Sequence, residues 1–302
     1  MTRTDTLDLD SALGPQQEVR LPGGTVRYRE RGAGPTVLFV HGLLVNGALW
    51  RKVVPELAPD FRCIAPDWPL GSHEVALGDD ADRSPAGMAK LIADFMAALE
   101  LEDVTLVGND SGGALCQLVV TRHPERVGRL VLTPCDAFED FPPKMFRYLG
   151  WAAKVPGGMG PIVQSMRIRA NRRTPIAFGW LTKRRLPDAV SDHYVDPIIH
   201  DRRIRDDARA FVLGMDPAYT LTAAEKLPEF DRPVLLAWAP EDRFFPMAHA
   251  ERLAELLPNA RVERIEDSRT FVSEDQPERL AEVIAGFVRQ PAQTPPNEEA
   301  LR

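Results

Sequence analysis

The chain has 302 residues, of which 44% are hydrophobic, and a formal net charge of −7. This length suits one large domain or a domain with a sizeable insertion, and the acidic balance argues against a nucleic-acid partner, which needs a basic face. No apolar stretch is long enough to span a bilayer, so we expect a cytoplasmic protein without a membrane partner. The three cysteines lack metal-ligand spacing, so we expect buried thiols and no metal site.

In chain order, the sequence opens with a polar segment, residues 1–14, that we expect to be disordered, as we do residues 290–302. Short apolar runs then predict eight strands, near residues 16–22, 25–31, 36–40, 61–65, 104–109, 128–133, 233–239 and 260–265. Amphipathic segments predict helices near residues 46–57, 85–100, 112–123, 247–256 and 275–288. This alternation predicts an α/β fold with a mostly parallel sheet flanked by helices, and the first two strands can form an antiparallel edge.

One long segment, residues 138–230, interrupts the alternation with helix-like pieces and no strand signal. We expect it to form a helical cap, inserted after the sixth strand between two parts of a core domain, residues 15–137 and 231–289. Because ligands of open α/β sheets bind at the carboxyl ends of the strands, the cap should cover the site. Residues 141–205 hold thirteen Lys and Arg against four Asp, a local balance of +9, which suits a solvated surface or the attraction of anionic substrates.

The stretch Gly108-Asn-Asp-Ser-Gly-Gly joins a predicted strand to a predicted helix. Small residues two before and two after a central residue are typical of a nucleophile elbow, a tight turn that exposes one strained side chain. With Gly108 and Gly112 as the small pair, that side chain is Asp110. A shift by one residue would place Ser111 there, but the small residue before it would then be Asn, which suits the turn less well. A Gly-rich turn without chemistry is the third interpretation.

Four motifs, taken in this order, resemble the α/β-hydrolase superfamily. They are Val40-His-Gly-Leu after the third strand, Pro66-Asp-Trp-Pro-Leu-Gly-Ser-His after the fourth, Gly108-Asn-Asp-Ser-Gly at the elbow and Trp238-Ala-Pro-Glu-Asp-Arg-Phe-Phe-Pro after the seventh. The aspartate at the elbow is similar to the haloalkane dehalogenase and epoxide hydrolase branch. The resemblance implies an α/β-hydrolase fold over residues 16–288. It also implies an aspartate that forms an ester with the substrate, which histidine-activated water then hydrolyses.

The resemblance assigns roles to particular residues. Asp110 is the nucleophile, Asp242 is the supporting acid, and the backbone N–H groups of Leu43 and Ser111 hold the oxyanion. Asp136, just past the sixth strand, is an alternative acid. His41 is expected to brace its turn.

The sequence departs from this pattern at the histidine, because Thr270 occupies the usual position and no histidine follows His249. A threonine hydroxyl does not titrate near neutral pH and cannot act as the base. Three alternatives remain. His73, in the loop after the fourth strand, could substitute; Asp110 could itself act as a base with a raised pKa; or the site could be a catalytically silent ligand pocket.

The substrate signals are sparse. Related dehalogenases hold the halide with a Trp after the nucleophile and a donor near the His-Gly motif, where this chain has Ser111 and Leu43, so halide release is disfavoured. Epoxide hydrolases use cap tyrosines as acids, and the candidates for substrate binding are Tyr148, Tyr194, Tyr219 and Trp68, each of which could instead fill the core. We therefore expect a hydrolase that acts without a cofactor on a small to medium apolar molecule, an epoxide or ester rather than an alkyl halide. A lyase or cyclase, or a binding protein, is the alternative; the oligomeric state is left open.

Overall fold

Eight strands form one sheet in the order β1-β2-β4-β3-β5-β6-β7-β8. A computed structural model describes residues 7–290. The strands are β1 (Gln16–Leu21), β2 (Gly24–Arg31), β3 (Thr36–Val40), β4 (Arg62–Pro66), β5 (Val104–Asp110), β6 (Val127–Cys135), β7 (Val234–Trp238) and β8 (Ala260–Arg264). β1 and β2 pair antiparallel and β2 runs antiparallel to β4, whereas the other neighbours are parallel. The predicted sheet and its antiparallel edge are confirmed.

The helices of the core flank this sheet. They are α1 (Leu9–Leu13), α2 (Val54–Leu57), α3 (Pro85–Ala98), α4 (Ser111–Arg122), α11 (Met247–Leu256), α12 (Val272–Asp275) and α13 (Pro277–Val288). The inner strands are almost continuously buried, as a parallel sheet covered on both faces requires. α4 packs against β5 and β6, and α13 packs against β7.

Six helices occupy the segment that was expected to form the cap: α5 (Arg147–Lys154), α6 (Met159–Ser165), α7 (Arg169–Arg172), α8 (Asp188–His200), α9 (Arg202–Gly214) and α10 (Pro217–Lys226). α5 packs against α9, and α6 packs against α8. α10 packs against α4, a helix of the core, so the chain returns to the core before residue 230.

The prediction that residues 1–14 are disordered is wrong for the part that the structure describes. Leu9 and Leu13, four residues apart, bury one side of α1. The side chain of Asp8 accepts a hydrogen bond from the backbone of Ser11 at 3.0 Å and so caps the helix. Residues 1–6 and 291–302 lie outside the described residues, and so does nearly all of the predicted C-terminal tail.

A buried ion pair joins α12 to the segment between β3 and α2. The Arg51 guanidinium binds both carboxylate oxygens of Glu274, one of them at 2.9 Å, and side-chain exposure is only 8% for Arg51 and 3% for Glu274. Lys52 adds a contact of 3.0 Å to the same carboxylate. The pair therefore holds the segment that follows Thr270.

We predict that Glu274→Gln lowers the free energy of unfolding by about 3–5 kcal/mol, because it leaves the Arg51 charge buried without its partner. The measurement is urea denaturation followed by circular dichroism. As a control, Asp94→Asn breaks the more exposed Lys90 pair on α3 and should cost less than about 1 kcal/mol. Equal losses in the two variants would contradict the role given to the buried pair.

Candidate active site

The elbow holds Asp110 in a backbone conformation that side chains rarely adopt. Asp110 ends β5 with φ 54° and ψ −134°, and the next residue begins α4. A Cβ added at Gly112 would lie 2.4 Å from the carbonyl oxygens of Val40 and His41, and one at Gly113 would lie 2.2 Å from the Cβ of Cys135. The glycines thus permit a turn too close for larger residues.

The structure shows which of the two candidates, Asp110 or Ser111, is the central residue of the elbow. The positive φ belongs to Asp110, whereas Ser111 is the first residue of α4. The strained and exposed position of the turn is therefore occupied by Asp110. Ser111 lines the same cavity, one residue further on.

The loop after β3 packs directly on Asp110. A Cβ at Gly42 would lie 2.3 Å from Oδ2 of Asp110, so only glycine fits there. Leu43, the next residue, lines the cavity together with Asp110 and Ser111. The residues expected to supply the oxyanion donors are thus brought together around the Asp110 carboxylate.

His41 braces this loop, as expected. Its Nε2 accepts a hydrogen bond from the backbone of Trp68 at 2.8 Å, and its Nδ1 lies 2.9 Å from the carbonyl oxygen of Gly42. Burial lowers the pKa of His41 to about 3, so the ring is neutral. Because Nε2 accepts a hydrogen bond, Nδ1 carries the ring proton and donates a hydrogen bond to the carbonyl oxygen of Gly42. Neither nitrogen is therefore free for catalysis.

Thr270 lies where the resemblance implies a histidine, and it contacts the supporting acid. Its hydroxyl donates a hydrogen bond to Oδ2 of Asp242 at 2.7 Å. The backbone N–H groups of Phe244 and Phe245 donate to Oδ1 of the same carboxylate, each at 2.7 Å. The carbonyl oxygen of Thr270 accepts from the Asn109 side chain at 2.6 Å, which ties this loop to the elbow.

The pKa values of Asp110 and Asp242 are both raised. Burial, with the nearby charge of Asp242 as a further cause, raises the pKa of Asp110 to about 7. Burial likewise raises the pKa of Asp242 to about 6, although its hydrogen bonds from Phe245, Thr270 and Phe244 oppose the shift. Both carboxyl groups therefore ionise at a higher pH than an exposed aspartate does.

Asp136 is a third carboxyl group in this region. It is fully buried, its backbone N–H donates to the carbonyl oxygen of Asp110 at 3.3 Å, and neither carboxylate oxygen has a hydrogen-bond partner among the described residues. Burial and the charge of Asp110 raise its pKa well above the ordinary range. Asp136 forms no hydrogen bond with Thr270 in the described structure, whereas Asp242 does. Asp242 therefore remains the better candidate for the supporting acid.

The structure does not bring His73 to the cavity. Nδ1 of His73 accepts from the backbone of Gly71 at 3.3 Å, and Nε2 lies 3.0 Å from Oδ2 of Asp207 on α9. Both nitrogens are occupied and the ring is buried. His73 instead joins the loop after β4 to the cap, and Leu77 and Arg83 bind the same Asp207 carboxylate.

Of the four aromatic residues predicted to bind substrate, only Tyr148 lines the cavity. Its hydroxyl donates to the carbonyl oxygen of Ile176 at 3.0 Å. Trp68 is buried in the core, where its Nε1 donates to Phe39. Tyr194 is fully buried against Phe178, and Tyr219 packs under the Arg122 guanidinium. None of these three side chains lines the cavity, and contacts within the folded chain account for their positions, so their predicted role in substrate binding is not favoured.

The cavity above Asp110 is almost entirely apolar. The cavity has a volume of about 90 Å³, which is enough for a small organic molecule. Its walls come mainly from the cap and carry three methionines that the sequence analysis missed, together with branched side chains: Met159, Ile162, Val163, Met166, Ile176, Val195, Ile198, Val212 and Met215. Their spacing on amphipathic helices indicated burial but not which of them face a cavity.

The family model of the alpha/beta hydrolase fold matches residues 35–277. The chain belongs to this superfamily, and haloalkane dehalogenases are among its relatives.

Haloalkane dehalogenase 2 of Mycobacterium tuberculosis is 27% identical over 277 residues, which cover 86% of this chain and 90% of that one. A cis-3-alkyl-4-alkyloxetan-2-one decarboxylase of Xanthomonas campestris is 29% identical over 294 residues, 89% of this chain and 94% of that one. The crystal structure of the haloalkane dehalogenase DbeA of Bradyrhizobium elkani shares the fold, with a TM-score of 0.75 at 23% identity over 91% of this chain and 97% of that one. Fold and relatives together support an enzyme of the hydrolase type.

We predict that Asp110→Asn stabilises the protein at pH 8. The pKa of Asp110 is raised from 3.8 to about 7, so the folded state resists its ionisation. The contribution of the protonated carboxyl group to the free energy of unfolding is fully present below pH 3.8 and is lost as the pH rises through 7. The substitution removes this cost and should raise the free energy of unfolding by up to about 4 kcal/mol at pH 8, less where water reaches the carboxylate.

Urea denaturation of both proteins between pH 5 and pH 8 measures the effect. The gain should shrink as the pH falls. A gain that is the same at every pH would mean that ionisation is not its cause.

Proposed function

We propose that the protein is a cofactor-independent enzyme that opens small apolar esters or lactones by attack of the Asp110 carboxylate on carbon. The observation that carries the proposal is the position of Asp110, a strained carboxylate at the base of a cavity whose other walls are almost entirely apolar. Such a cavity favours an apolar substrate and leaves one reactive group in contact with it.

The choice of leaving group follows from the donors that line the cavity. An alkoxide formed from an epoxide needs an acid, but the Tyr148 hydroxyl is bound to Ile176, and Tyr194 and Tyr219 do not line the cavity. A halide needs donors where this chain has Leu43 and a serine. A carboxylate, the leaving group of a lactone opened at its alkyl carbon, is stable at neutral pH without either.

The first step would form one bond and break one bond. An Oδ atom of Asp110 bonds to the alkyl carbon, the carbon–oxygen bond of the lactone breaks, and the electrons leave with the freed carboxylate. Hydrolysis of the resulting enzyme ester would then need activated water, with the backbone N–H groups of Ser111 and Leu43 supporting the oxyanion. Thr270 supplies no titrating base, so this second step would be slow.

A decarboxylating lyase is the second candidate, and the threonine at position 270 favours it. If the lactone is four-membered, the freed carboxylate is attached to the carbon adjacent to the one that carries the ester oxygen. Loss of carbon dioxide can then form a carbon–carbon double bond while the ester bond breaks and Asp110 regains its carboxylate. This route uses neither water nor a base, and the name of the Xanthomonas relative describes decarboxylation of such a ring.

We predict that Asp110→Asn abolishes reaction with a small alkyl-substituted β-lactone, whereas Ser111→Ala retains it. Intact-protein mass spectrometry detects the ester as an adduct of the lactone mass on Asp110, and gas chromatography detects an alkene. A hydroxy acid identifies the hydrolase route, and an alkene with carbon dioxide identifies the lyase route. If only Ser111→Ala removes the activity, the assignment of Asp110 as nucleophile is wrong.

Thr270→His should restore the base beside Asp242. If the ester accumulates in the native protein, this variant should hydrolyse it about 100- to 10,000-fold faster, the usual range for a general base. Thr270→Gln, which has no titrating group near neutral pH, is the control. Equal rates in the two variants would show that water activation does not limit hydrolysis.

The rate of adduct formation should follow the ionisation of Asp110. Because burial raises its pKa to about 7, the rate should rise about tenfold per pH unit below pH 7 and level off above it. Asp242→Asn removes a nearby negative charge and should move the inflection to lower pH. Quenched-flow mass measurements give both profiles. A rate that falls with rising pH would instead indicate that protonated Asp110 is the active form.

A further inference from the structure

One segment of the cap, residues 144–178, combines cations with exposed apolar side chains. It contains seven Lys and Arg and no Asp or Glu. Of the seven large hydrophobic residues exposed among residues 7–290, five lie in it: Met145, Trp151, Val155, Ile168 and Ile176. We call residues 144–178 the basic apolar segment.

The helix α5 shows how the two properties share one surface. Leu149 and Ala153 are buried, and the opposite side carries Arg147, Trp151 and Val155 at intervals of four residues. Trp151 is 71% exposed and Val155 is 57% exposed. A large aromatic ring so open to water is uncommon and indicates a contact surface.

The cations of the segment fall into two groups. Arg169, Arg172 and Arg173 pair with aspartates of α8. Lys144, Arg147, Lys154 and Arg167 form no ion pair with any carboxylate of residues 7–290. The unpaired group includes both ends of α5, so its charge is available to an external anion.

The basic apolar segment also borders the mouth of the cavity. Ile176 lines the cavity and is nevertheless 55% exposed. The Tyr148 hydroxyl, on α5, donates to the Ile176 carbonyl and ties the helix to this rim. Whatever covers α5 therefore lies next to the route into the cavity.

We propose that the basic apolar segment binds the surface of an anionic lipid bilayer and places the mouth of the cavity against the lipid. Interfacial binding combines shallow insertion of Trp and aliphatic side chains with attraction of Lys and Arg to anionic headgroups, and this segment supplies both. Apolar substrates concentrate in lipid, so the contact would deliver them to the cavity. No helix within residues 7–290 is long and apolar enough to cross a membrane. A contact at the bilayer surface departs from the sequence-based expectation of no membrane partner, which rested on the lack of a spanning segment alone.

The test is sedimentation of the protein with vesicles of phosphatidylcholine mixed in equal parts with phosphatidylglycerol, against phosphatidylcholine alone. We expect binding to the anionic vesicles that weakens with salt. Each cation removed should weaken binding about fivefold, so Arg147→Gln with Lys154→Gln should weaken it about 25-fold. Trp151→Ala should also weaken it, and the native protein should show a blue shift of tryptophan fluorescence that this variant lacks.

Two matched controls come from the core: the exposed Arg20→Gln on β1 and Val262→Ala on β8, which should bind as the native protein does. Asp110→Asn should also bind normally, so failure of the membrane proposal and failure of the proposed function are separable. Absence of binding at low salt, or equal binding by the Arg147/Lys154 double variant, would overturn the proposal.

Discussion

The structure depends on a close approach of backbone segments around one strained carboxylate. Asp110 keeps a positive φ, and Gly42, Gly112 and Gly113 leave no room for a Cβ between it, β3 and β6. A non-glycine residue in such a conformation costs about 1–3 kcal/mol, which the packing of the surrounding sheet must offset. The buried, almost continuous strands on either side of β5 do so, and the strain is confined to the residue that faces the cavity.

Three carboxyl groups, those of Asp110, Asp136 and Asp242, lie in this region, and only for Asp242 does a nearby cation, Arg269, favour the ionised form. In the pattern that the chain resembles, an imidazole lies between nucleophile and acid and can take up a proton. Here the Thr270 hydroxyl satisfies Asp242 as a hydrogen-bond donor but adds no charge. Burial raises the pKa values of Asp110 and Asp242, and it raises that of Asp136 as well. The substitution changes the electrostatics of the whole site as well as the identity of one residue.

Several polar contacts fasten the helical segment of residues 138–230 to the core, and among them are those of the buried carboxylates of Asp207 and Asp275. Asp207 on α9 accepts from His73, Leu77 and Arg83 of the core. Asp275, just after Thr270, accepts from the backbone of residues 183 and 184 of the cap. These contacts lie at the carboxyl side of the sheet, whereas the unpaired cations and exposed apolar side chains of the basic apolar segment lie on the outer surface. The same cap thus forms the roof of the cavity and an exposed surface of distinct chemistry.

Sequence alone determined the eight strands along the chain, the antiparallel edge and the tight turn that holds Asp110, since each depends on local signals: apolar period, glycine spacing and motif order. The helix at Leu9–Leu13 also had a local signal, a capping Asp8 and two leucines four apart, which the polar composition obscured. Only the tertiary structure decided which aromatic residues line the cavity, that His73 binds Asp207 and that Asp136 lacks a partner. Those outcomes depend on which residues distant in sequence meet in the folded chain, and short-range periodicity carries no information about such meetings.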